Sequence, residues 1–280
     1  MNKISIITIN YNNLEGLKLT INSVLPQTWK DFEWIIVDGG STDGSRELIE
    51  SVSTHLSYWC SEHDWGIFHA MNKGIHHAKG EYLLFLNSGD YFSSSKSLQH
   101  ANPQTWSADI VGCDAFMGSG KKKTYYQSPR KVTYQRLVCM SLCHQSTFIR
   151  RMLLTEKNYD ETSKIGADWM WWFYAFIEND FTYTNIPVPI TVFDTTGISI
   201  TATEARKKER LDFLLKYFSP SMLKKVKEQC NWDDELEYQA ILNSEKSALL
   251  FMRKVVNKLY SFIITPFYLR YKLLRFTIYR

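Results

Sequence analysis

The stretch Tyr82-Leu83-Leu84-Phe85-Leu86-Asn87-Ser88-Gly89-Asp90 constrains this chain more than any other. An apolar run ends abruptly in four polar or turn-forming residues. Such a run reads as a buried strand. Its polar end then lies at the carboxyl edge of a sheet, where open α/β folds bind ligands. A carboxylate held there, beside a glycine that lets the backbone come close, suits a hard cation such as Mg²⁺ or Mn²⁺. These cations take one or two carboxylates and complete their shell with the phosphates of a substrate. Alone, Ser-Gly-Asp after a strand is more often only a turn, so the rest of the first hundred residues decides.

There the same pattern recurs. Ile4 to Ile9 reads as a strand ending at Asn10-Tyr11, and Leu14 to Leu25 has helical spacing stopped by Pro26. Phe32 to Val37 is a second strand, ending at Asp38-Gly39-Gly40-Ser41, with a helix from about Ser45. Leu56 to Cys60 gives a third strand, running into Glu62-His63-Asp64-Trp65-Gly66, and Ile67 to Ala78 reads as a helix. Strands alternating with helices at short spacing predict a largely parallel sheet. The polar clusters Asn10-Tyr11, Asp38 and Asn87–Asp90 then fall on one edge and can converge on one ligand. A dinucleotide-binding domain would need G-x-G-x-x-G after the first strand, and a P-loop its lysine. The chain has Asn10-Tyr11-Asn12-Asn13-Leu14-Glu15-Gly16 there. A metal is therefore the expected neutraliser of phosphate charge, which favours a metal-assisted nucleotide-sugar site.

Taken together, these residues resemble family 2 glycosyltransferases with the GT-A fold, closest to the branch that builds bacterial polysaccharides. The matching segments are Ser5–Asn12, Val37–Ser45, Glu62–Ile67, Ala70-Met71-Asn72-Lys73-Gly74 and Leu86–Asp90. Thinner matches continue through His144-Gln145, Ala167-Asp168 and Gly197-Ile198-Ser199. The resemblance implies an α/β domain over residues 1–218, with a donor half of about 1–100 and an acceptor half of about 101–218. It implies that Thr8, Tyr11 and Asp38 hold the nucleoside, and that Asn10, Asp64, Asn87 and Ser88 also lie in the donor pocket. By the same resemblance Asp90 ligates the metal, Mg²⁺ or Mn²⁺, and Asp168 is the catalytic base. Two positions depart from the pattern. Asn87 stands where many members carry Asp, and His69 where this branch often has Asp.

The implied activity is inverting transfer of a sugar from a nucleotide-sugar donor to a glycan or lipid-linked acceptor. Such transfer passes through an oxocarbenium-like state. The leaving diphosphate needs a metal or hydrogen-bond donors, and the acceptor hydroxyl needs a base. Asp168 alternatively reads as an N-cap of the Trp169–Ile177 helix. Trp169 is assigned to the acceptor side, although two of Trp169, Trp171 and Trp172 are expected in the core. His144 either positions acceptor or diphosphate or is a satisfied structural histidine. His76 and His77 are expected on a solvated helix face. Two other functions stay open: a sugar nucleotidyltransferase, and a non-catalytic glycan or nucleotide-sugar binder, which Asn87 favours.

The five cysteines form no C-x-x-C and no zinc ligand set. Their odd number, with no signal peptide, fits a reducing, cytoplasmic compartment. From Lys246 to Arg280 there are eight basic residues and no acidic ones, whereas the whole chain is +4, leaving −4 on residues 1–245. Arg253, Lys254 and Lys258 share one helical stripe, and Leu249, Met252, Val256 and Leu259 the opposite one. That pattern is an amphipathic helix with a basic face. No apolar run approaches the ~18 residues needed to span a bilayer. Residues 219–280 are thus read as a helical extension, whose part from 246 to 280 rests on an anionic membrane surface. The expected place is peripheral, on the inner face of the cytoplasmic membrane. A nucleic-acid partner is not expected, because the rest of the chain is acidic and carries no binding motif.

Overall fold

The computed structural model describes residues 3–118, 123–197 and 203–223 of the 280. The chain divides into two compact units at Arg206, whereas the sequence reading drew its boundary at 218. Residues 246–280 lie outside the described residues, as do Ile198 and Ser199.

The first unit carries one sheet of nine strands among the described residues, in the order β3-β2-β1-β4-β8-β6-β9-β5, with β7 on β6. The strands are β1 (Ile4–Asn10), β2 (Phe32–Asp38), β3 (Tyr58–Ser61), β4 (Tyr82–Phe85), β5 (Tyr91–Phe92), β6 (Ile110–Met117), β7 (Thr124–Tyr126), β8 (Thr147–Arg150) and β9 (Tyr183–Phe193). Helices α1 (Leu14–Val24), α2 (Ser45–Ser51) and α3 (Ile67–His77) connect the first four strands. Then come α4 (Ser97–Ala101), α5 (Tyr134–Cys139), α6 (Arg151–Glu156) and α7 (Ala167–Phe173), the last continued by a π-turn over Tyr174–Glu178. Helix α8 (Thr203–Tyr217) crosses the division between the units.

The four strands read from the sequence pair in parallel, β3 on β2, β2 on β1 and β1 on β4. Their carboxyl ends therefore share one edge, and the register puts Asn10 beside Asp38. Beyond β4 the sheet turns mixed: β8 is antiparallel to β4 and β6, and β9 is parallel to β6. Every residue of β1 and β4 is buried, which is why their sequences show no alternation. Ile4, Ile6, Trp34, Ile36 and Leu84 pack on one side with Leu17 and Ile21 of α1 and Ile49 of α2. Burial of each such side chain contributes about 1.5–3 kcal/mol. Helix α3 closes tightly on β1, since a Cβ at Gly74 would stand 2.4 Å from Ile7 Cγ2. His77 departs from the solvated face expected for it: its ring stacks on Tyr58 at 3.5 Å, because β3 lies alongside the end of α3.

Candidate active site

The turn after β4 is built by α1. The Thr20 hydroxyl, fully buried, lies 2.7 Å from the Asp90 carbonyl and receives the Gly89 N–H at 3.2 Å. Asn13 caps α1 by accepting from Gly16 N–H, and its side-chain amide donates to the Ser88 carbonyl at 3.1 Å. Gly89 sits at φ +101, which a side chain would strain. These contacts turn Asn87, Ser88 and Asp90 toward a cavity of about 580 Å³.

Asn10, Tyr11 and Asp64 line the same cavity. Gly39 lets two of them meet, since a Cβ there would stand 2.5 Å from Asp64 Oδ2 and 3.1 Å from Tyr11 Cδ2. Asp64 accepts from Gly66 N–H at 2.9 Å, while Trp65 between them is left 78% exposed. His69, where the family pattern has Asp, accepts the Trp65 N–H on Nδ1 at 3.3 Å, so both residue types can serve as the acceptor that holds this loop.

Three expected site residues are placed otherwise. Thr8 is fully buried, its hydroxyl taking the Trp34 indole N–H at 3.1 Å, and it does not line the cavity. Asp38 is also fully buried, and its carboxylate is saturated. It accepts from Asn10 (2.7 Å), the Ser41 hydroxyl (2.6 Å), Ser41 N–H (2.9 Å) and Ser61 (2.6 Å). Burial alone would push this carboxyl up, but those hydrogen bonds outweigh it and hold it below its ordinary 3.8. Asp38 thus ties the loops after β1, β2 and β3 together rather than offering a free oxygen. Trp169 is 5% exposed and donates its indole N–H to the Leu137 carbonyl at 2.7 Å. Trp171 and Trp172 are buried too, so all three tryptophans, not two, belong to the core. Trp169 is turned to α5, and Trp171 donates its indole N–H to the Lys157 carbonyl at 2.8 Å.

Asp168 and His144 do line it. The N-cap of α7 is Gly166, with no side-chain cap bond, so Asp168 stands inside the first turn rather than capping it. Its Oδ2 lies 2.8 Å from His144 Nδ1, and both side chains are about five-sixths buried, at 15% and 16% exposed. Burial pushes the imidazole down, but the hydrogen bond and charge of Asp168, with the charge of Asp90, prevail and hold it above 6.5. His144 Nε2 is buried without a hydrogen-bond partner, and so is Asn87 Oδ1.

Sequence reasoning missed Asp194. It follows β9, and its N–H donates to Asp90 Oδ1 at 2.9 Å across 104 residues. Its carboxylate accepts the Thr196 N–H and hydroxyl at 3.0 and 2.6 Å, close over Gly89. The signal was present: Asp194-Thr195-Thr196-Gly197 closes an apolar strand as the other polar clusters do. Asp90 is 4% exposed, and burial pushes its carboxyl up to about 7, only partly offset by the Asp194 N–H, His144 and Gln145. A carboxyl held that high is short of compensating positive charge, and a bound cation reverses that balance. Asp90, Asp194 and the unpartnered Asn87 oxygen thus fit a hard cation that completes its shell with phosphate and water. Among the described residues no three His, Cys, Asp or Glu side chains form a ready-made metal cage.

A mixed sheet with a parallel first half and a carboxylate-lined cavity at its carboxyl edge is the GT-A fold. Residues 5–192 match the family described as Glycosyl transferase family 2, and the chain belongs to it. Over 91 residues it is 44% identical to an uncharacterized glycosyltransferase of Mycobacterium tuberculosis, covering 32% of this chain and 35% of that one. Over 173 residues it is 31% identical to the PGL/p-HBAD biosynthesis glycosyltransferase of Mycobacterium bovis, covering 59% and 66%. The chain thus spans about a third of the first relative and just under two thirds of the second. Two solved structures share the fold. Staphylococcus aureus TarS residues 1–349, in complex with UDP-GlcNAc, has a TM-score of 0.60 at 19% identity, over 88% of this chain and 72% of that one. The mannosyltransferase PcManGT of Pyrobaculum calidifontis, in complex with GDP-Man and Mn²⁺, scores 0.61 at 16% identity, over 92% and 81%.

Proposed function

We propose that this glycosyltransferase moves a sugar, with inversion, from a nucleoside-diphosphate donor to a glycan or lipid-linked acceptor with a divalent metal's help. The observation that carries the reading is one cavity whose wall holds both a carboxylate pair, Asp90 and Asp194, and the His144–Asp168 pair. The first pair suits a metal-bound diphosphate and the second an acceptor hydroxyl. Asp90 and Asp194 would hold Mg²⁺ or Mn²⁺, which when bound neutralises the charge developing on the leaving diphosphate. Tyr11 and Asp64 receive the nucleoside, with Asp38 fixing the loops beneath it. Asn87 would add its free side-chain oxygen to the metal's ligands, and Ser88 shapes the turn that carries it.

Attack on the anomeric carbon from the side of Asp168, opposite the departing diphosphate, inverts that carbon. Relatives with bound UDP-GlcNAc and GDP-Man leave both bases open as donors. The basic segment 246–280 supports attachment to an anionic leaflet on the cytoplasmic side, where a lipid-linked acceptor would be met. Among the described residues no helix is long and apolar enough to cross a membrane.

A thermal-shift screen of UDP-, GDP- and dTDP-sugars, with Mn²⁺ or EDTA, tests the reading. A donor present at 100 times its Kd stabilises by about 2.7 kcal/mol. One class is expected to raise the melting temperature only with Mn²⁺, and to release free nucleotide when acceptor is added. Equal shifts in EDTA would remove the metal, and absence of any released nucleotide would remove the transfer.

A further inference from the structure

We propose that Trp65 is a stacking platform for the donor's nucleobase, closing on the base against Tyr11. The inference rests on the nucleoside-diphosphate donor proposed above and names the residue that covers its base.

Trp65 at 78% and Tyr11 at 66% are the two most exposed large apolar side chains among the described residues. Single exposed apolar residues are ordinary, but these two belong to one end of one cavity. Tyr11 lines it, and so do Asp64 and Gly66, the neighbours of Trp65 on either side. Asp64 and Tyr11 meet over Gly39. The His63 ring meets the Trp65 indole edge-on at 5.3 Å. His63 in turn lies against Gly40, where a Cβ would stand 3.3 Å from its backbone nitrogen. Trp65 is therefore grouped with the loops after β1 and β2, on the side where Tyr11 and Asp64 would take the nucleoside.

The backbone around the indole is pinned. The Glu62 N–H donates to the Asp38 carbonyl at 3.0 Å, and the Glu62 carboxylate pairs with Lys73 at 2.8 Å. The Trp65 N–H reaches His69 Nδ1 at 3.3 Å, and the Gly66 N–H reaches Asp64 Oδ1 at 2.9 Å. Gly66 holds φ +124, a conformation that a side chain would strain. A fixed loop thus holds a large aromatic surface in water beside a ligand cavity. An indole has only two side-chain torsions to order, so settling it on a ligand costs little entropy. Every nucleobase has a π face, and stacking on it tolerates any base. The platform therefore adds affinity for UDP, GDP or dTDP alike and leaves the choice among them to hydrogen-bonding groups.

Calorimetry with UDP, GDP and dTDP, each with Mn²⁺, tests the proposal. Trp65→Ala is expected to weaken whichever nucleotides the wild type binds by about 5–150-fold, the range that stacking of a base covers. Binding of inorganic pyrophosphate with Mn²⁺, which has no base, should be unchanged. Trp65→Leu should lose as much as Ala, because it restores bulk without a π face, and Trp65→Phe should keep most of the affinity. Where Trp65→Ala lowers the melting temperature of the nucleotide-free protein, the Leu and Phe variants decide. Acrylamide quenching reads the indole directly: nucleotide should shield one tryptophan in the wild type and none in Trp65→Phe. Equal losses for nucleotide and pyrophosphate would mean that the variant displaces the loop, and would overturn the platform. Unchanged nucleotide affinity in Trp65→Ala with a raised KM for acceptor would put the indole under the acceptor and overturn it too. A wild type that binds none of the three nucleotides overturns the donor reading itself, and the platform with it.

Discussion

Asp90→Asn is expected to stabilise the metal-free protein while removing the metal's effect on donor binding. Asp90 is 4% exposed, and its carboxyl is pushed from 3.8 to about 7 by burial. The unfolded chain releases this proton near pH 4, but the folded chain holds it until near pH 7. Between those values the unfolded state binds fewer protons, so stability falls as pH rises. Roughly three pH units at about 1.36 kcal/mol each put the full cost near 4 kcal/mol above pH 7. Asparagine keeps an oxygen to accept the Asp194 N–H and never ionises. Urea denaturation of both proteins in EDTA, at pH 5 and pH 8, reads the difference. The variant's advantage over wild type should grow by on the order of 2–3 kcal/mol across that range. An advantage that stays constant with pH would refute the argument that Asp90 is a strained, uncompensated carboxyl. The same variant should bind a nucleotide-sugar equally with Mn²⁺ or EDTA.

Asp38→Asn exchanges an acceptor of four hydrogen bonds for a group that must donate where donors already converge. A loss on the order of 2–4 kcal/mol is expected, read as a lower urea midpoint with weakened nucleotide binding. Asn72 pairs with both backbone groups of Tyr159, at 2.9 and 3.1 Å, and with Glu161, which ties α3 to the loop leading into α7. Asn72→Ala should lower the melting temperature and reduce kcat more than donor affinity. An unchanged kcat would free that loop from any part in placing Asp168. Full-length protein should pellet with anionic vesicles and be released by high salt, at about 1 kcal/mol per basic residue near the surface. Deleting residues 246–280 should abolish pelleting and spare transfer to a short soluble acceptor. An insoluble truncation, with full-length protein ignoring the vesicles, would make the segment part of the fold.

The parallel part of the sheet was legible because its signals are local. Each apolar run from Ile4 to Phe85 is short and closed by turn residues, and the structure places all four strands within two residues of the expected ends. The ends of β1 and β4 also announced their polar clusters, and the family resemblance added Asp64; Asn10, Tyr11, Asp64, Asn87, Ser88 and Asp90 all line one cavity. Direction was harder. Thr8 and Trp169 have suitable chemistry for a binding site, but their side chains end against Trp34 and Leu137. Asp38 sits at the expected strand end with every lone pair already taken.

The sequence by itself determined the alternation of strands and helices as far as β4, their parallel pairing and the carboxylate turn after β4. Those follow from burial pattern and turn chemistry over a few neighbouring residues. Only the tertiary structure decided that Asp194 reaches Asp90 across 104 residues, and that Asp168 turns to His144 across 24. Such contacts depend on where β8 and β9 enter the sheet, which is set by packing of the chain beyond β4. The raised carboxyl of Asp90 has the same origin, since its desolvation comes from distant segments closing over a turn that is polar in sequence.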